Sequence, residues 1–143
     1  MDKIKQLFLL ALSTLTLYSA AAVYEKTVFA EWDKPSINVF YVLPQEVNDQ
    51  TEILFIIHGN SRNADGYIEV WANHAKDKNI ILIAPEFSRS KFSNYNTLQM
   101  SSSTGKILKN RDLYLNNSID IMFNHYKNLF GVKTDLYKIY GHS

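Results

Sequence analysis

The sequence predicts an α/β domain: a mostly parallel sheet with helices on both faces, led by an antiparallel hairpin. Three observations predict it. Ile53-Leu54-Phe55-Ile56-Ile57 and Ile80-Ile81-Leu82-Ile83-Ala84 are unbroken apolar runs, and continuous rather than alternating hydrophobicity marks strands buried on both faces. The segment between them has helical period. A second periodic stretch, Leu115, Ile119, Met122, Phe123, Tyr126, Leu129 and Phe130, leads into a third apolar run, Leu136 to Tyr140. Strands alternating with helices in this rhythm read as βαβ units.

The 143 residues, 46% hydrophobic and 20% charged, suit one ordinary globular domain. The first 22 residues read as a secretory leader preceding a domain at 23–143. Lys3 and Lys5 form a basic start, Leu7 to Leu17 an apolar stretch broken by Ser13, Thr14 and Thr16, and Ser19-Ala20-Ala21-Ala22 a small-residue cleavage site. The apolar stretch is too short to cross roughly 30 Å of hydrocarbon comfortably, so no membrane anchor is expected after cleavage. The expected location is periplasmic or extracellular. Without the leader the chain has 13 basic and 13 acidic residues. Such neutrality leaves no electrostatic footprint for nucleic acid or an anionic membrane surface. No cysteine is present, so the core alone must hold the domain.

Taken in order, Tyr24 to Ala30 and Ile37 to Leu43 are β-rich runs flanking a turn that contains Asp33, Lys34 and Pro35, and they read as a hairpin closed by Pro44. Ile53 to Ile57 follows and ends at His58-Gly59-Asn60. With Asn63 as N-cap, Tyr67, Val70, Trp71, His74 and Ala75 recur at helical spacing up to Lys78-Asn79. The strand Ile80 to Ala84 is expected to end at Pro85. Glu86 to Lys109 is a long polar loop carrying Phe87, Phe92, Tyr95 and Met100, and loops of that length in compact domains are usually functional or mobile. Gly131 suits the C′ position of the second helix. Leu136 to Tyr140 then reads as a short buried strand that delivers Gly141-His142-Ser143.

A strand ending in Gly-x-Ser is the first half of the nucleophile elbow, which exposes a serine hydroxyl at the end of a sheet. Acyl transfer by serine needs that hydroxyl, a base and donors aimed at the developing oxyanion. Ser143 is placed for the first role, with Gly141 easing the tight turn. Alone, Gly-x-Ser is a common tripeptide. His58-Gly59-Asn60, closing the third strand where such a site takes an oxyanion donor, supplies the second constellation. The four histidines are spaced by 16, 51 and 17 positions, unlike zinc ligand pairs, and Gly59-Asn60-Ser61-Arg62-Asn63-Ala64 is not a dinucleotide fingerprint. No metal and no cofactor is expected.

The order hairpin, Phe55-Ile56-Ile57-His58-Gly59-Asn60, helix with Trp71 and His74, Ile83-Ala84-Pro85-Glu86-Phe87, a loop holding Tyr95-Asn96, helix, and Tyr140-Gly141-His142-Ser143 resembles a secreted bacterial α/β-hydrolase. More narrowly it is similar to the esterase and polyhydroxyalkanoate-depolymerase-like branch, over roughly Ile37 to Ser143. The resemblance implies Ser143 as nucleophile and the backbone N–H of Asn60 as oxyanion donor, with Gly59 allowing close approach. It places the acid, the catalytic histidine and the second donor after Ser143, so the sequence reads as the N-terminal half of such an enzyme. Of the histidines, His58 is expected to brace the oxyanion loop, His74 to be packed beside Trp71, and His125 to flank its helix near solvent. The implied substrate is a small or polymeric carboxylic ester, with peptides and amides less favoured. The alternatives are a catalytically inactive truncated remnant and an exported binding module using the 86–109 loop.

Overall fold

A computed structural model of the chain describes residues 24–75 and 77–141. The expected leader and His142-Ser143 lie outside the described residues. Five strands, β1 (Glu25–Phe29), β2 (Ile37–Val42), β3 (Glu52–Ile57), β4 (Ile80–Glu86) and β5 (Lys138–Gly141), form one sheet in the order β1-β2-β4-β3-β5. The hairpin β1-β2 is antiparallel, β2 pairs antiparallel with β4, and β4, β3 and β5 are parallel neighbours. Only β2 therefore runs against the other four, so the sheet is mostly parallel in strand direction.

Helix α1 (Ala64–Ala75) and helix α2 (Ser118–Phe130) cover opposite faces. The alternation of side chains along each strand makes this possible. Ile53 and Phe55 of β3 and Ile81 and Ile83 of β4 meet Met122, Phe123 and Tyr126 of α2, whereas Ile56, Leu82 and Ala84 meet Ala64, Ile68 and Ala75 of α1. The unbroken apolar runs are explained by this double covering, and each fully buried Ile or Phe contributes about 1.5–3 kcal/mol of transfer free energy. At the end of α2, Gly131 takes φ 70°, and the N–H of Val132 reaches back to the carbonyl of Lys127 at 3.0 Å. That is the left-handed cap foreseen for glycine.

Four local expectations are corrected. The buried face of α1 is Ala64, Ile68, Ala72 and Ala75, while Val70 is 61% exposed and His74 is exposed. Three alanines let the helix lie close on the sheet, and the bulky Tyr67 and Trp71 pack at the margin of that contact. Strand β4 continues through Pro85 to Glu86, paired with β2 at Val39 after its pairing with β3 has ended at Ile83. With one side already free, a residue without an N–H is tolerated. On α2, Leu129 is 61% exposed and leaves the apolar stripe. Finally, β5 starts at Lys138, Leu136 is 79% exposed and Ile139 54% exposed. Among the described residues β5 has a single sheet neighbour, β3, so its outer side is uncovered.

Candidate active site

The chain passes from β3 through α1 to β4 on one side, and then from β4 through α2 to β5 on the other side of β3. The connections thus reverse direction at β3. In open α/β sheets a crevice opens at such a switch point, at the carboxyl ends of the strands. A cavity of about 600 Å³ occupies that place, lined by Ile57, His58, Gly59, Asn60 and Gly141 from the ends of β3 and β5. Phe87, Tyr95, Asn96 and Leu98 from the long loop and Leu115, Ser118 and Ile119 around the start of α2 complete its wall. Its size lies within the range of small-molecule sites.

Gly141, the last described residue, is registered opposite Ile57. The strand end that leads to Ser143 therefore lies beside the strand end that leads to Gly59 and Asn60. Ser143 itself is outside the described residues. A Cβ on Gly141 would meet nothing within 4 Å.

His58 is 1% exposed and fully engaged. Its Nε2 accepts the backbone N–H of Phe87 at 3.0 Å, which leaves the proton on Nδ1, 2.9 Å from the carbonyl of Gly59. Its own carbonyl accepts the Tyr95 hydroxyl at 2.8 Å. Burial holds the imidazole below the usual histidine range, and the Arg62 charge adds to this, while the bond to Gly59 opposes it. His58 is thus a neutral strut joining the ends of β3 and β4 to the long loop, and has no ring nitrogen free to take a proton.

The loop after β3 is fixed by an arginine that sequence reasoning missed. Arg62 is 7% exposed with φ 63°, a left-handed conformation rare for a residue with a side chain. Its Nη1 donates to the carbonyls of Phe87 at 2.7 Å and Phe92 at 3.1 Å, and its Cζ sits 4.4 Å from the centre of the Tyr95 ring. A cation over an aromatic face is a favourable pair. Burial pushes the Tyr95 hydroxyl up to about 12, with Arg62 acting in the opposite sense. Tyr95 and Phe87 border the cavity, whereas Phe92 of the same loop is fully buried in the core behind them.

Asn60 is exposed at the rim. Its carbonyl accepts Nη2 of Arg89 at 2.7 Å, and its side-chain oxygen receives Arg89 at 3.3 Å and Asn96 at 3.5 Å. The described residues make no hydrogen bond to its backbone N–H. No group of three His, Asp or Glu among the described residues stands close enough to hold a metal ion, and none of their helices is long and apolar enough to cross a membrane.

No protein-family profile and no curated protein sequence matches the chain. Solved structures do. The poly(aspartic acid) hydrolase-1 of Sphingomonas sp. KT-1 is 33% identical, with TM-score 0.73 over 84% of this chain and 46% of its own. A poly(3-hydroxybutyrate) depolymerase from Bordetella parapertussis superposes with TM-score 0.69 at 16% identity, over 84% of this chain and 42% of its own. An acetyl xylan esterase from Aspergillus awamori gives 0.58 at 16% identity, covering 82% and 42%. These are esterase-like α/β-hydrolases, and this chain has their fold. It spans less than half the length of each of them.

Proposed function

We propose that this chain carries the nucleophile and the oxyanion loop of an exported serine hydrolase that cleaves carboxylic esters through an acyl-enzyme. The observation that carries the reading is the parallel pairing of β3 with β5, Ile57 opposite Gly141, at the mouth of the cavity. Asn60 follows the end of β3 and Ser143 the end of its neighbour β5, which supports the Asn60 N–H, left without a hydrogen bond by the described residues, as the oxyanion donor. The Ser143 oxygen attacks the ester carbonyl as its proton passes to a base, and the carbonyl oxygen becomes an oxyanion held by the Asn60 N–H. The alkoxide leaving group takes the proton as the C–O bond breaks, and water then releases the acid from the acyl-serine.

His58 is not that base, because both its nitrogens are engaged. By the order Ser, acid, His of this fold, the acid and base follow Ser143, as does the second oxyanion donor. Residues 1–22 serve as the export leader. Carboxylic esters come first as substrates; an amide-linked polymer is the second reading, favoured by the 33% identity to a poly(aspartic acid) hydrolase.

The test is hydrolysis of p-nitrophenyl acetate by the full-length protein and its Ser143→Ala variant. Turnover abolished by the substitution supports the proposal. Equal turnover by both contradicts it, and no turnover by either favours the remnant or the binding module. The 143-residue chain alone is expected to match its own Ser143→Ala control.

A further inference from the structure

Among the described residues that line the cavity, Ser118 carries a buried polar group that acyl transfer does not use. Ser118 opens α2, is 1% exposed, and its Oγ has no hydrogen-bond partner among the described residues. Native structures pair nearly all their buried polar groups, so an orphan hydroxyl at a cavity wall points to a partner that comes from outside. Apolar Ile57, Leu98, Leu115 and Ile119 line the same cavity, together with polar Asn60 and Asn96.

Two features define that partner. The first turn of a helix carries partial positive charge and favours an acceptor oxygen, and Asn117, at the N-cap of α2, makes no side-chain bond to the helix. The same turn already holds the carboxylate of Asp120, which accepts the Tyr137 hydroxyl. A second negative charge would be repelled there, whereas a neutral carbonyl oxygen would not.

We infer that Ser118 and the first turn of α2 form a subsite for a second, neutral oxygen on the acyl group, so that oxoacyl esters are preferred over plain alkanoyl esters. The inference rests on the cavity being the acyl site of the proposed hydrolase. Serine at this position donates its hydroxyl to the incoming carbonyl, while Leu98, Leu115 and Ile119 take the methylenes on either side.

Two measurements on the full-length protein separate this inference from the activity beneath it. The first compares kcat/KM for the p-nitrophenyl esters of pentanoate, 4-oxopentanoate and 5-oxohexanoate, with hemisuccinate as the charged arm. At least one oxo ester should exceed pentanoate by about tenfold, the gain expected of one good hydrogen bond, and Ser118→Ala should bring the ratio to near one. The second, on Ser143→Ala protein, compares calorimetric binding of methyl 4-oxopentanoate and methyl pentanoate. A selectivity of similar size, lost in the Ser118→Ala, Ser143→Ala double variant, is expected. Selective binding without turnover would sink the hydrolase reading and keep the subsite. Turnover with no oxo preference, a preference that survives Ser118→Ala, or hemisuccinate as the best substrate would overturn the subsite.

Discussion

Phe87 gives its backbone N–H to the Nε2 of His58, 3.0 Å away, and so locks the end of β4 to the end of β3. The bond requires a neutral imidazole. Protonation would turn the acceptor into a donor facing another donor, within a site that burial already makes hostile to charge. His58 therefore makes stability depend on pH. Its folded pKa lies below the ordinary 6.5, so the unfolded chain binds the proton first as pH falls. Stability is complete above about pH 6.5 and declines below it by at most about 1.4 kcal/mol per pH unit. Urea unfolding at pH 7.5 and 5.5 should show the loss in the native sequence and a smaller one in His58→Gln.

Arg62→Ala strips two carbonyls of a charged donor and leaves the Tyr95 ring without its cation. A loss on the order of 3 kcal/mol is expected, read from denaturant midpoints. Arg62→Lys should recover only part, since an ammonium can donate to both carbonyls as Nη1 does but lacks the planar face set over the Tyr95 ring.

Tyr126 has the opposite sign. Its hydroxyl is buried without a hydrogen-bond partner among the described residues, and burial pushes its pKa well above the usual tyrosine value. Tyr126→Phe keeps the ring contacts with Phe29 and Phe130 and removes an unpaired polar group, so it should leave stability unchanged or raise it by roughly 1 kcal/mol.

Gly131→Ala isolates a backbone effect. A Cβ there meets nothing within 4 Å, but φ is 70°. The expected cost of about 1–2 kcal/mol is conformational alone, and Gly131→Asn should cost less, because asparagine tolerates the left-handed region. Thermal melts of the two variants test the ranking.

Much of this fold is legible in the sequence because burial on both faces removes the need for alternation. Ile53 to Ile57 and Ile80 to Ala84 announce β3 and β4 for that reason, and the three-and-four stepping around Met122, Phe123 and Tyr126 announces α2. The face of α1 is misread because large Tyr67 and Trp71 attract attention, whereas close approach to a sheet selects small Ala64, Ala72 and Ala75. Gly59, Asn60 and Tyr95, singled out from motif and loop, line the cavity. Arg62 is not legible: its partners Phe87 and Phe92 lie 25 and 30 residues away in sequence, and no local pattern marks an arginine for burial. Ser118 reads only as the start of a helix, because its distinction is the absence of a partner among the described residues.

The role given to Asn60 belongs to its backbone. Asn60→Pro removes the N–H and should lower kcat of the full-length protein by roughly 10²–10³, the usual cost of one lost oxyanion donor. Asn60→Ala, which keeps the N–H, should cost far less, and equal losses in the two variants would contradict the assignment.

The most direct test of the acyl-transfer site is covalent. Full-length protein is treated with a fluorophosphonate, digested, and the modified residue located by mass spectrometry. The account predicts a single phosphonyl adduct on Ser143, lost in Ser143→Ala and slowed in Asn60→Pro. An unmodified Ser143, or an adduct on another serine, would contradict it.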